Sequence, residues 1–264
     1  MRLPTYFISH GGGPWPWMDD WRGALDELER ALQDMPNQLG ERPSAVLMVS
    51  GHWEENDYAV MASPQPPMVY DYYGFPPHTY QIRYAAPGAP ALAGRVQALL
   101  TQAGLPTHLD GERGFDHGAF VPAAVMYPKA DVPMVQLSLR HHMDPAEHIA
   151  VGRALAPLRD EGVLIIGSGL SYHNLGRFGP AARAPSEAFD AWLQKTLLHS
   201  APAARAQGLV DWAQAPCARL AHPREDHLIP LMVALGAAEA EPATMVYHQE
   251  GIFGGVTASS FRFG

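Results

Sequence analysis

Three observations predict an α/β fold, a single-domain sheet of mixed strands with helices on both faces, spanning residues 1–264. Short apolar runs stop abruptly at glycine, amphipathic patterns of helical period lie between them, and 47% of the 264 residues are hydrophobic against 17% charged. Strands alternating with helices indicate a sheet covered on both faces. The composition is far too apolar for disorder and supplies one substantial core.

In chain order, Pro4 to Ser9 (PTYFIS) reads as a buried strand running into a loop, and Trp21 to Leu32 shows apolar residues at helical spacing. Ala45 to Ser50 (AVLMVS) is a second strand, ending at Gly51-His52. Ser63 to Pro90 carries many of the prolines and aromatics and reads as an ordered excursion over one end of the sheet, since a flexible linker would lack its tyrosines. Helical patterns follow at Ala91 to Ala103 and Ala146 to Leu158, then a third strand at Val163 to Ile166 that stops at Gly167-Ser168-Gly169. Glu187 to Leu198 is helical, Ala201 to Ala213 and Asp226 to Leu235 add two more helices, and Thr244 to Tyr247 is the last apolar run. Ligand sites in such sheets lie beyond the carboxyl ends of strands.

Eighteen basic side chains against 27 acidic ones give a formal charge of −9, which removes nucleic acid as an expected partner. The single cysteine, Cys217, excludes an intrachain disulfide and every paired-cysteine redox or zinc motif, and fits a reducing cytoplasm. The run Leu3 to Ser9 is too short for a signal segment, and no stretch approaches the roughly 20 apolar residues of a membrane span. Lys129 and Lys195 are the only lysines, both expected at the surface, so Schiff-base chemistry has few candidates. His10-Gly11-Gly12-Gly13 resembles an esterase oxyanion loop, but no Gly-x-Ser-x-Gly nucleophile accompanies it. Phosphate-binding and His-Glu-x-x-His motifs are missing as well.

Thirteen histidines in an acidic chain point elsewhere. Strand ends deliver His10, His52 and His173, while His117 follows Phe115-Asp116 and His227 opens an apolar helix after Arg224-Glu225-Asp226. Singly, each reads as a cap or a satisfied loop residue. Jointly, histidines at several strand ends beside small residues are what an open non-haem metal site at the carboxyl ends of strands requires. His78, His108, His141, His142, His148, His199 and His222 read as structural, and His248, at the end of the last apolar run, either joins them or faces the site.

At this point the residues resemble the class III extradiol ring-cleaving dioxygenases, the protocatechuate 4,5-dioxygenase catalytic-subunit superfamily, in its DOPA-dioxygenase-type branch. The resemblance is collinear from Pro4 to about Ala237: Phe7-Ile8-Ser9-His10-Gly11, Ser50-Gly51-His52-Trp53, Tyr70 to Pro76, Asp116-His117-Gly118, Met126-Tyr127-Pro128, Gly167-Ser168-Gly169 with His173-Asn174-Leu175, and His222 to His227.

The resemblance implies Fe(II) held by His10, His52 and a third ligand near His227, with His173 and His117 beside a catechol. It also implies O2 as co-substrate and dimers or higher assemblies. A catechol binding through both oxygens leaves room for three protein ligands, and a further imidazole suits the proton transfers, a role given to His173. His117 is assigned to hydrogen-bonding substrate or oxygen. The third ligand is glutamate in the protocatechuate enzymes and histidine in the DOPA-type branch; His227 is taken here, with Glu225 and Asp226 read as helix caps. An all-histidine set also binds Zn(II), so a zinc hydrolase on the same fold and a non-catalytic relative stand as alternatives. The first loop departs from the family's Ser-His-Gly-Ser-Pro, and its Trp15 and Trp17 either line the pocket or pack against the next helix. Tyr72, Tyr73 and Phe75 are pocket wall or lid core, and Asn174 is expected to fix the His173 loop.

Overall fold

A computed structural model describes residues 2–21 and 23–264. Among the described residues, eight strands form one sheet: β1 (Thr5–Ser9), β2 (Ala45–Glu55), β3 (Tyr58–Met61), β4 (Thr107–Asp110), β5 (Met134–Arg140), β6 (Val163–Gly169), β7 (Ala243–Ile252) and β8 (Val256–Phe263). Their order is β4-β3-β5-β2-β6-β1-β8-β7. The central β5, β2, β6 and β1 run parallel, whereas β3 and β8 oppose them, so the sheet is mixed, as predicted. Every residue of β1 and β6 is buried, which is why those strands read as unbroken apolar runs.

The helices are α1 (Asp26–Asp34), α2 (Pro90–Gln102), α3 (His117–Met126), α4 (Pro145–Leu155), α5 (Arg183–His199), α6 (Pro202–Val210), α7 (Ala218–Ala221) and α8 (Ile229–Ala237). One layer is built on α2, α4, α6 and α8, while α1 and α3 form another. The predicted helix at 21–32 starts later, at Asp26, and its Arg22 lies outside the described residues. The helix α3 (HGAFVPAAVM) escaped sequence reading because nearly all of it is buried, so it shows no polar stripe. Strands β3, β4, β5 and β8 were not read as strands, β4 because it exposes residues on both sides and shows no clean period, whereas the last apolar run, 244–247, lies within β7. No helix among the described residues is long and apolar enough to cross a membrane.

His148, on α4, has the structural role expected of it. Its Nδ1–H donates to the Asp144 carbonyl at 2.7 Å, and its Nε2 accepts the Arg140 N–H at 3.3 Å. Burial lowers its pKa to about 4, against about 6.5 for an unfolded histidine. Between those values the unfolded chain binds the extra proton and the folded one does not, so stability falls as pH drops through that window. At about 1.4 kcal/mol per unit, this one group withdraws on the order of 3 kcal/mol. Urea midpoints at pH 7 and pH 4.5 are expected to differ less in His148→Gln than in the unaltered protein; an equal difference would remove His148 as the cause.

Candidate metal centre

The site begins where β1 and β6 end beside a break in the β2 ladder. Ser9 pairs with Gly169, and Ser50 with Ser168, so β1 and β6 stop level with the point where β2 leaves β6, and His52 lies within β2 and not at its end as expected. His10 is the next residue after β1, buried, with its N–H still donating to the Gly169 carbonyl at 3.1 Å. On β2 the ladder to β5 slips: Val49 faces Leu137 and Glu54 faces Leu139, so Ser50 to Trp53 crowd opposite Ser138 alone. That bulge carries His52. Two glycines then admit the 226–227 turn between the strand ends. A Cβ at Gly51 would stand 2.9 Å from the Asp226 carbonyl oxygen, and one at Gly169 would overlap the His227 carbonyl. His227 thus lies in the turn before α8, a correction to its expected place as the opening residue of that helix.

Within this frame, His52 Nε2 is 3.3 Å from His10 Nε2 and 3.0 Å from His227 Nε2. An oxygen acceptor lies near the opposite nitrogen of each ring. Pro122 has no N–H to give the Gly118 carbonyl within α3. That carbonyl takes the Ser168 hydroxyl proton instead, leaving Ser168 Oγ to accept from His10 Nδ1–H at 3.1 Å. His52 Nδ1 faces Asp71 Oδ2 at 3.3 Å, and His227 Nδ1 lies 3.0 Å from Asp226 Oδ2. A carboxylate can only accept, so these neighbours favour a proton on each Nδ1, although the His227 contact lacks hydrogen-bond geometry, and leave the Nε2 lone pairs facing one another.

Facing lone pairs repel unless a cation lies between them. Protons do not serve: burial, reinforced by neighbouring imidazoles, holds the pKa of His10 and His52 well below the usual histidine value. His227 is drawn down to about 4, by burial first. A metal fits. Two imidazole nitrogens about 2.1 Å from one ion, at angles of about 90–110°, stand about 3.0–3.4 Å apart, and the observed separations of 3.0 and 3.3 Å fall in that range.

The other two histidines flank this group. The donor atoms of His10, His52 and His117 lie within 4.8 Å of one another, as do those of His173, Asp226 and His227. His117 begins α3 after Asp116, whose side chain caps that helix on Ala119 N–H. The His173 ring stacks on His227 at 3.4 Å between centroids, and its Nδ1 is 3.8 Å from Asp226 Oδ1. The Asn174 amide donates to the Leu220 carbonyl at 2.8 Å and its oxygen accepts Gly176 N–H, fixing the loop as expected.

Sequence reasoning missed the residue that ties two elements together. Asp71 comes from the 63–90 excursion; its Oδ1 accepts from His117 Nδ1 at 2.8 Å and from the His117 backbone N–H at 3.0 Å, while Oδ2 faces His52. Burial pushes its pKa up, but His117 outweighs this and the net shift is downward, so Asp71 is a carboxylate at neutral pH. Asp226 likewise departs from the capping role expected of it. Burial raises its pKa, but His173 and His227 prevail and hold the carboxyl well below the usual range. Glu225 instead pairs with Arg219 at 2.5 Å, and neither acid caps α8 with its side chain.

A cavity of about 680 Å³ opens above the histidines. Tyr72, Tyr73 and Phe75 line it, but Trp15 and Trp17 do not. Trp15 is buried under Gly11 and donates its indole N–H to the His10 carbonyl at 2.9 Å, and Trp17 sits against Phe120. The tryptophan on the cavity wall is Trp21, which carries no motif of its own. His248 turns away from the site to Ser259 Oγ at 3.0 Å, next to Asp190.

Comparison with known proteins gives matches over nearly the whole chain. Residues 4–264 match the model of the family described as the catalytic LigB subunit of aromatic ring-opening dioxygenase. The chain is 39% identical over 263 residues to a 4,5-DOPA dioxygenase extradiol of Beta vulgaris, covering 98% of this chain and 96% of that one. It is 37% identical to a 4,5-DOPA dioxygenase extradiol of Escherichia coli, over 92% and 89% of the two chains. A crystal structure of an uncharacterized Escherichia coli K12 protein, 32% identical, superposes with a TM-score of 0.80 over the full length of both chains.

Proposed function

The chain belongs to the LigB family of aromatic ring-opening dioxygenase catalytic subunits, and from that premise we propose a non-haem Fe(II)-dependent extradiol dioxygenase that opens a catechol-type ring with both atoms of O2. The observation that carries the reading is the set of inward Nε2 lone pairs on His10, His52 and His227, each with its Nδ1 set against an acceptor. These three would hold the metal. When bound, iron supplies the one-electron chemistry that lets O2 react with a closed-shell catechol, which zinc cannot.

The protein's own groups do the rest. His173, stacked beside the ligand His227 and only partly buried, takes a catecholic proton and returns one as the ring opens. His117, whose Nδ1–H is engaged by Asp71, offers its Nε2 to the bound substrate or oxygen. Tyr72 and Phe75 hold a flat ring against the site and keep bulk water from it. One O2 is consumed per catechol, both oxygen atoms enter the product, and no external reductant is needed. Amino-acid catechols such as DOPA and other catechols share this reaction.

Anaerobic reconstitution with Fe(II), followed by oxygen uptake and near-visible absorbance against a panel of catechols, tests the reading. Equimolar uptake and a yellow ring-opened product are expected with iron, and neither with a zinc-loaded sample. The imidazole set also suits zinc; zinc-dependent hydrolysis of an ester or amide, without oxygen uptake, would replace the dioxygenase by a hydrolase. No turnover with either metal would leave a binding protein.

A further inference from the structure

We propose that the preferred substrates are catechols with an uncharged, apolar side arm, and that the arm lies on an aromatic wall running from the histidines to the mouth of the cavity. The inference rests on the dioxygenase reading and names its substrate class.

The wall is assembled from four separate parts of the chain. Phe75 stands 5.9 Å from Trp21, Trp21 stands 5.1 Å from Phe253, and Phe253 stands 6.2 Å from Phe178, all between ring centroids. Edge-on contacts of this kind leave ring faces available to a ligand. Among the described residues seven large hydrophobics are exposed, and four of them, Tyr73, Leu175, Phe178 and Phe253, line this one cavity. Apolar surface left open to water in one place marks a binding site. Phe253 adds a second sign, because it sits at the tip of the β7–β8 hairpin with φ of +49°, a conformation that bulky residues rarely adopt. A turn under no other demand would carry glycine or asparagine there.

Charge argues the same way. The ionised carboxyls on the lining, Asp71 and Asp226, are both turned to histidines. Among the described residues no lysine or arginine lines the cavity. Arg83 opens on a separate depression of about 340 Å³ beside Pro66 and Tyr70. A carboxylate on the side arm would give up its hydration with no lysine or arginine on the described lining to pair with it.

Fe(II)-loaded enzyme should show kcat/KM for 4-tert-butylcatechol about tenfold or more above that for L-DOPA and 3,4-dihydroxyphenylacetate, the scale of a few methylenes in an apolar pocket. Anaerobic quenching of tryptophan fluorescence, on metal-free and zinc-loaded protein, should rank the same three compounds in the same order without turnover. Phe253→Asn, which suits the turn, and Leu175→Ala should each erode the preference. A preference for either carboxylate overturns the proposal, including one that disappears in Arg22→Ala, and so does an apolar preference that both wall variants leave intact. If no catechol is turned over, the dioxygenase reading fails instead, and the quenching order still decides what the wall binds.

Discussion

His173→Ala is expected to lower kcat for ring opening by roughly 10²–10⁴-fold, the usual worth of a positioned general base, while the protein keeps the iron content of the unaltered enzyme. The two halves of the expectation come from different geometry. His173 follows β6 in a loop pinned by its own N–H on the Ala221 carbonyl, at 3.0 Å, and by Asn174. Its ring stacks on His227, and no separation as short as the 3.0 and 3.3 Å between the Nε2 atoms links it to His10 or His52. His10→Ala and His52→Ala remove members of that closely spaced set and are expected to empty the site. Metal analysis after dialysis, paired with single-turnover absorbance, separates the classes. Loss of iron from His173→Ala would move it into the ligand set and take the proton-transfer role from it.

How far this site could be read from sequence follows from what each residue depends on. His10 was legible because it follows a buried strand whose apolar run is unbroken and stops abruptly, whereas the apolar run before His52 stops at a bulge within β2 and not at the end of that strand. The resemblance named His173, His117 and His227 in order, but their placement depends on contacts no linear pattern carries. The turn bearing His227 is set by the missing side chains of Gly51 and Gly169, which only matter because the end of β6 lies beside the bulge of β2. The tautomer of His10 depends on a carbonyl freed by Pro122, more than a hundred residues away. Trp15 and Trp17 stayed open between wall and core because aromatic residues beside a ligand loop look alike whether they face the cavity or the core beneath it. Trp21 faces the cavity through a short irregular stretch that has no period to read.

Asp71 shows the same limit and gives the second large effect. It lies in the Tyr70 to Pro76 motif, yet nothing local marks it as the group bridging a bulged strand and a helix start. One carboxylate accepts from the Nδ1 of His117 and from its backbone N–H through Oδ1, and faces the Nδ1 of His52 through Oδ2. An amide has one accepting atom and one donating group. In Asp71→Asn, therefore, one of the two imidazoles loses its acceptor and is free to turn or to place its proton on Nε2, where the lone pair is needed. Metal affinity is expected to fall by about 10–100-fold, the range typical of groups that hold metal-ligating histidines, with kcat falling at saturating iron. Thermal midpoints of the two metal-free proteins should stay close, since a side chain at the cavity wall contributes little to the core. Cobalt(II) titration gives the sharper readout, because the visible ligand-field spectrum responds to imidazole orientation and a purely structural role would leave it unchanged. An Asp71→Asn protein with unaltered cobalt spectrum, affinity and rate would show that His52 and His117 are held by their backbones alone.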